Sequence, residues 1–296
     1  GLGSETENLP AYMVMTDPGG HPVDGIHNWS NGWMPTLFQG TVLRPKNPRI
    51  FNLDPPPGLR GKVQEHNLSF LAQLNKRHAK KHPGENDLEA RIATYELAAR
   101  MQTSATEALD ISKETKATQE MYGIDHKTTR DYGTRCLLAR RMIERGVRFV
   151  QIFHRGWDAH GNLIGEHKSQ CKDVDQACAA LILDLKRRGM LDDTLVIWGG
   201  EFGRTPMAQG SGRDHHIRGF SMWMAGGGIK GGVTHGETDE LGYFVARDKV
   251  GVHDLQATVL HLLGFDPHRL SYRYQGLNQR LIGPEGDGHV ITPILA

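Results

Sequence analysis

From residue 132 onward, amphipathic helical patterns alternate with short apolar runs, and this alternation limits the possible folds more than any other feature. A helical pattern over residues 132–145 ends at Gly146 and is followed by an apolar, β-branched run at 147–153. After another helical pattern, further apolar runs follow at 194–198 and 220–225. Such alternation is typical of a parallel sheet that helices cover on both faces. We therefore predict an α/β fold with a mainly parallel sheet sandwiched by helices.

The 296 residues are enough for one large α/β domain. Residues 1–60 are rich in Pro, Gly and Asn, which predicts loops with one short strand, whereas residues 62–122 carry a helical periodicity. We therefore predict a single domain over residues 1–296 that contains a helical segment over residues 62–122.

Charge and hydropathy argue against two classes of partner. Lys and Arg together number 35 against 34 for Asp and Glu, so the net charge is +1 and there is no basic surplus for nucleic acid. No apolar run approaches the roughly 18 residues that a membrane span needs. The three cysteines are too few for a disulfide framework in a chain of this length.

Carboxylates and histidines cluster beside the predicted strands, where open α/β sheets bind their ligands. The candidate metal ligands are Asp158, His160, Glu201, Asp214, His215 and His216. Carboxylate oxygens mixed with imidazole nitrogens form a donor set for a divalent metal. Zinc is favoured over calcium, which prefers an all-oxygen shell, and over manganese.

Two arginines, Arg204 and Arg213, lie close to these candidates in the sequence. A guanidinium can hold an anionic group through two parallel hydrogen bonds, so both are candidates for stabilising negative charge during catalysis. Other interpretations stay open. The carboxylate of Glu201 could instead stabilise the N-terminus of a helix through the helix dipole. Adjacent residues such as His215 and His216 point in different directions, so not all of them need bind a metal.

Several segments resemble a bacterial family called domain of unknown function 1501, which is often described as sulfatase-like. The segments that carry the resemblance are 1–10, 95–102, 139–147, 157–160, 200–206 and 212–216. The resemblance extends over nearly the whole chain. Residues 191–197, leading to Glu201, are also similar to a strand of the alkaline phosphatase and sulfatase superfamily that ends in a metal-binding Asp-His pair, although Phe202 stands in place of the histidine.

The resemblance implies an alkaline-phosphatase-like fold and metal-dependent hydrolysis of sulfate or phosphate esters, carried by small molecules or by polysaccharides. In that superfamily the first strands supply the nucleophile, and this chain begins downstream of the matching region. We therefore expect the N-terminal strands to be missing. The alternative is a non-catalytic member that binds a glycan or a protein. The resemblance also implies a periplasmic or secreted protein whose leader lies outside this sequence.

Overall fold

The structure is a computed structural model that describes residues 6–51 and 53–296, except for the side chains of Leu37, Asn86, Asp87 and Thr103. Residues 1–5, which are part of one segment that carries the family resemblance, lie outside the described residues. The chain divides into two compact units. The first unit is the chain up to Arg155 together with Asp173–Cys178, and the second is Gly156–Lys172 together with Ala179–Ala296. The assignment of residues 1–296 to one domain stays a prediction.

The regular elements are numbered in chain order. In the first unit, the strands are β1 (Tyr12–Met15), β2 (Thr41–Leu43) and β3 (Phe149–Ile152), and the helices are α1 (Lys62–Lys81), α2 (Asn86–Leu109), α3 (Lys116–Met121) and α4 (Arg130–Ile143). Helix α5 (Leu163–Arg187) contributes residues to both units. The second unit holds β4 (Val196–Trp198), β5 (Gly203–Gln209), β6 (Gly212–His216), β7 (Trp223–Ala225), β8 (Glu237–Thr238), β9 (Val245–Arg247), α6 (Val252–Leu262), β10 (Tyr272–Tyr274) and β11 (Leu277–Gln279). Among the described helices, none combines the length and the apolar character that crossing a membrane requires.

The first unit is built on a three-stranded parallel sheet with the order β2-β1-β3. The central strand β1 is buried along Met13–Met15 because α4 and α2 pack over the sheet and over each other. Leu43, Met101 and Met142 complete the same apolar core. Parallel strands need long crossover connections, and α1 to α4 all lie in the connection from β2 to β3.

Helix α4 also buries charged side chains. Arg140 is buried and pairs with Glu114 at 2.8 Å and with Glu144 at 2.6 Å, and the neighbouring Arg141 also pairs with Glu114. Desolvation opposes the charge on Glu114, but the hydrogen bonds from Arg141 and Arg140 outweigh it and lower the pKa of this carboxyl. Buried charges are tolerated only when they are paired in this way.

The predicted fold class, a mainly parallel sheet sandwiched by helices in an alkaline-phosphatase-like arrangement, is wrong. Of the strands that the structure describes, only β1, β2 and β3 pair in parallel. The others form two-stranded antiparallel sheets, which are β4 with β7, β5 with β6, β8 with β9, and β10 with β11. The run at 194–198 yields only three strand residues, and Ile197 among them is 39% exposed. A strand covered on both faces would bury that side chain.

Local pairing explains the sheets of β5 with β6, β8 with β9 and β10 with β11, whereas β4 and β7 pair across residues 199–222. Segments joined by a tight turn pair at a small loss of chain entropy, whereas a parallel partner must come from far along the chain. Strands β5 and β6 are joined by Gly210 and Ser211 alone, and Gly210 adopts the positive φ of 58° that this turn requires. The apolar character of a run does not reveal whether its partner is near or distant.

Candidate metal centre

Asp158 and His160 lie in a loop that is held against the β5–β6 hairpin within the second unit. The backbone N–H of Arg213 donates a hydrogen bond of 3.0 Å to the carbonyl oxygen of Ala159, the residue between them. Gly212 allows this close approach, because a Cβ there would lie 2.1 Å from the carbonyl carbon of His160. The hairpin therefore positions both side chains of the loop beside its own residues.

Three of the predicted ligands converge at this place: Asp158, His160 and His215. Oδ1 of Asp158 lies 2.9 Å from Nε2 of His215 and 3.0 Å from Nε2 of His160, and the two nitrogens are 3.1 Å apart. The side chains are 65%, 43% and 41% exposed for Asp158, His215 and His160, respectively. One carboxylate oxygen and two imidazole nitrogens thus form an open, nearly equilateral triangle that could hold a metal ion.

The dimensions of this triangle fit a single ion. Ligand bonds of about 2.1 Å separate three ligand atoms by about 3.0 Å when they subtend right angles, and by about 3.4 Å in a tetrahedron. The separations of 2.9 to 3.1 Å match the first arrangement and lie within about 0.5 Å of the second, which zinc prefers. Two nitrogens with one oxygen suit zinc and related transition ions, whereas calcium prefers an all-oxygen shell.

Gln209, at the end of β5, supports one of the imidazoles. Its side-chain oxygen Oε1 lies 2.7 Å from Nδ1 of His160. An amide oxygen only accepts hydrogen bonds, so this contact keeps the proton of the neutral ring on Nδ1. Nε2 then carries the lone pair that a metal ligand needs, and metal-binding histidines are commonly oriented in this way.

Arg204 neutralises the carboxylate of the cluster. Arg204 and His215 are directly opposite each other across the β5–β6 pair, so their side chains share one face of the hairpin. The guanidinium of Arg204 donates a hydrogen bond to the same Oδ1 of Asp158 that faces the histidines. This hydrogen bond, and after it the one from His215, lowers the pKa of Asp158 to about 2. Asp158 is therefore ionised at neutral pH, as a metal ligand must be.

Two other positions singled out in the sequence border the cluster. The backbone of Arg213 binds the loop at Ala159 and accepts a hydrogen bond of 3.2 Å from Arg204, while its side chain is half-buried. The ring of Phe202 packs against the imidazole of His215 with 4.3 Å between ring centroids. Arg213 thus contributes through its backbone, and Phe202 supports His215 from one side.

The remaining predicted ligands are not brought into the triangle. Successive side chains along a strand point to opposite faces, so His215 and His216 diverge. Asp214 accepts a hydrogen bond of 2.8 Å from the backbone N–H of His215. His216 is buried against Tyr243, and among the described residues its Nε2 has no hydrogen-bond partner. Glu201 is exposed in the bend before β5.

Sequence reasoning missed Gln209, and it placed no hairpin between residues 203 and 216. A signal was present: a two-residue Gly-Ser connection between short segments is a known hairpin pattern. Applied to Gly210 and Ser211, this pattern predicts that β5 and β6 pair, with Pro206 opposite His215. The structure has a register shift between Arg204 and Ala208, and this shift is what places Arg204 opposite His215.

A second polar cluster lies in the first unit at the carboxyl ends of β1 and β3. Arg135 is buried, pairs with Asp17 at 3.3 Å and donates a hydrogen bond to the carbonyl oxygen of Phe153. Nε2 of His154 lies 4.0 Å from a carboxylate oxygen of Asp173. Desolvation lowers the pKa of His154 and raises that of Asp173. The pairing of Arg135 with Asp17 accounts for this cluster as a stabilising contact between strand ends.

Comparison with known proteins matches the chain to a protein family. A family model described as "Protein of unknown function (DUF1501)" matches residues 1–295. No curated protein and no solved structure matches the chain significantly. The comparison therefore extends over both compact units and carries no assigned reaction.

Proposed function

We propose, on the premise that the chain belongs to the family described as protein of unknown function (DUF1501), that it is a metal-dependent hydrolase of sulfate or phosphate esters. The match of the family model over residues 1–295 confirms the resemblance to domain of unknown function 1501 that the sequence segments indicated. The single observation that supports the reaction most is the convergence of Asp158, His160 and His215 on one open position. The esters would be those of small molecules or of polysaccharides.

The proposal assigns a separate role to each residue of the cluster. Asp158, His160 and His215 would hold the ion, with zinc favoured, and Gln209 would keep His160 in the ligating tautomer. A bound ion supplies a Lewis acid that polarises the ester. Arg204 would bind the anionic oxygens of the ester through its guanidinium as negative charge develops. The roles of Arg213 with substrate and of Glu201, Asp214 and His216 with metal stay predictions.

The wider placement among sulfatase-like proteins is part of this proposal. The likeness of residues 191–197, leading to Glu201, to a sulfatase strand supports the class of ester, whereas the small antiparallel sheets of the second unit lend it no support. A periplasmic or secreted location belongs to the same proposal, because a polysaccharide ester would be met outside the cytoplasm.

A second candidate function is ligand binding without catalysis, and one contact favours it. Arg204 already neutralises Asp158, so the three side chains are held together without an ion. A protein of this kind would bind a glycan or a protein partner and would be insensitive to chelators.

Metal binding and ester hydrolysis test the proposal together. The full-length protein, stripped with a chelator, is titrated with zinc by calorimetry and assayed on nitrophenyl sulfate and nitrophenyl phosphate. We expect one zinc per chain, hydrolysis that depends on it, and a loss of at least about 100-fold in zinc affinity for His215→Ala. The matched control is His261→Ala, an exposed histidine on α6 outside the cluster.

The outcomes separate the two functions. Equal zinc affinity in wild type and His215→Ala would overturn the metal centre. Zinc binding at the cluster without hydrolysis of any sulfate or phosphate ester would instead favour the non-catalytic function.

A further inference from the structure

Three tryptophans lie in contact beside the metal centre, all within the second unit. Trp157 immediately precedes Asp158 in the chain, and its ring meets Trp198 edge-on with centroids 5.7 Å apart. The rings of Trp198 and Trp223 are parallel to within 7° at 6.3 Å. These two residues are directly opposite in the β4–β7 pair, so both rings stand on one face of that sheet. The aromatic surface is therefore continuous with the loop that carries Asp158.

Trp223 is more exposed than the stability of the β4–β7 pair requires. A cross-strand aromatic pair does stabilise two paired strands. Burying the rings would add to that stabilisation, since tryptophan offers a large apolar area. Instead, Trp223 is 37% exposed, and the adjacent Met222 is exposed as well. An aromatic face that is kept accessible next to a polar centre is suited to contact a ligand.

The openness of the centre indicates the size of that ligand. Small-molecule sites are clefts that bury most of their ligand. Here the three ligand side chains of the centre are all more than two-fifths exposed, while beside them Trp223 is exposed and Trp157 and Trp198 are half-buried. A polymer that lies across the surface fits such a site better than a small molecule that needs to be enclosed.

The chemistry of the aromatic surface indicates the class of polymer. A pyranose ring has a flat face of C–H bonds that packs on an indole, while its hydroxyl groups stay hydrated at the edge. Tryptophan gives this contact a large, rigid area at a small loss of side-chain entropy. The guanidinium of Arg204, which pairs with Asp158, has further N–H groups that can donate to an anionic substituent on the sugar.

We infer that Trp157, Trp198 and Trp223 form the sugar-binding surface for a sulfated or phosphorylated polysaccharide whose ester group lies at the metal centre. This inference rests on the proposed function, because the centre defines which group of the polymer reacts. Trp223 is the best residue for a test, because Trp157 and Trp198 lie between it and Asp158 in the series of ring contacts and because it is not a metal ligand.

Binding to saccharides tests the inference. The wild-type chain is applied to an array of sulfated galactan, glycosaminoglycan and phosphomannan oligosaccharides with their unmodified counterparts, and the strongest binder is then titrated by calorimetry. We expect a sulfated or phosphorylated member to bind, and Trp223→Ala to weaken its binding by about 10-fold or more. Trp223→Thr, which keeps a strand-forming residue in β7, is expected to do the same. Phe244→Ala removes an exposed aromatic residue from the connection between β8 and β9, outside this surface, and serves as the control.

The inference is overturned if no saccharide on the array binds, or if both Trp223 variants bind as tightly as the wild type. Its failure is distinct from that of the proposed function. If the Trp223 variants bind zinc and hydrolyse esters as the wild type does, and also bind saccharide as tightly, the metal centre is supported and the sugar-binding surface is excluded. Saccharide binding that depends on Trp223 in a chain that binds no zinc would support the surface and remove the metal centre.

Discussion

A single carboxylate oxygen organises the candidate centre. Oδ1 of Asp158 faces the guanidinium of Arg204 and the imidazoles of His160 and His215. The guanidinium of Arg204 and the Nε2–H of His215 donate to this oxygen and keep it ionised, and an ion bound at the triangle would displace that proton of His215. The arrangement depends on the protonation of each ring, and for His160 the side chain of Gln209 decides it.

Replacing Gln209 tests this control of the tautomer. In Gln209→Leu, Nδ1 of His160 loses its acceptor, so the proton can move to Nε2 and block the ligating nitrogen. We expect zinc affinity to fall by about 10- to 100-fold, as measured by calorimetry. The control is Gln256→Leu, at an exposed position of α6. Unchanged zinc affinity in Gln209→Leu would show that His160 does not need this hydrogen bond.

At the scale of elements, the β5–β6 hairpin assembles most of the centre. It carries Arg204 and His215 as a cross-strand pair and Gln209 at the end of its first strand. Its second strand begins with Gly212, which contacts the backbone of the loop that carries Asp158 and His160. The next residue, Arg213, donates a backbone hydrogen bond to Ala159 in that loop. The distances within the triangle therefore depend on how closely this loop and the hairpin approach each other.

A methyl group added at Gly212, where the hairpin and the loop of Asp158 approach most closely, should separate the hairpin from the loop. In Gly212→Ala, the new Cβ would lie 2.1 Å from the backbone of His160, which has to shift. We expect a loss of about 1 to 3 kcal/mol in the free energy of unfolding and weaker zinc binding. Gly161→Ala is the matched control, because its Cβ meets only Ser211 Oγ at an ordinary 3.7 Å. Urea unfolding and zinc calorimetry measure both effects. Equal stability and equal zinc affinity in the two variants would show that the close approach at Gly212 does not position the centre.

At the scale of the whole molecule, both compact units hold carboxyl groups whose pKa values are lowered. In the first unit, a hydrogen bond from Arg145 lowers the pKa of Glu107. In the second, the hydrogen bond from Arg204 lowers that of Asp158 to about 2. Such a group stabilises the folded state above its unfolded pKa of about 4, and this contribution is lost as the pH falls toward the folded pKa.

Acid should therefore destabilise the protein, and one substitution should reduce the effect. We expect the midpoint of urea unfolding to fall as the pH is lowered from about 5 to about 2. In Glu107→Gln the midpoint is lower at pH 7, and its further fall in acid is smaller, because one of the responsible groups is gone. Glu89→Gln, at an exposed position on the same helix, should follow the wild type. A Glu107→Gln midpoint that fell as steeply as that of the wild type would exclude this role for Glu107.

The sequence by itself determined the local features. The helical period and the glycine after it predicted a helix that the structure places at Arg130–Ile143, and the apolar run at 147–153 contains strand Phe149–Ile152. These are short-range preferences of the chain, and they act before any distant contact forms. The family resemblance also came from the sequence alone.

Only the tertiary structure decided the register of the paired strands and which candidate side chains meet. The sequence marked residues 214–216 as a group, but a shift of one residue along a strand moves a side chain to the opposite face. The register of β6 against β5 therefore selects His215 for the cluster and buries His216. That register depends on a turn and on the packing of a loop more than forty residues earlier in the chain, and no local pattern contains such long-range contacts.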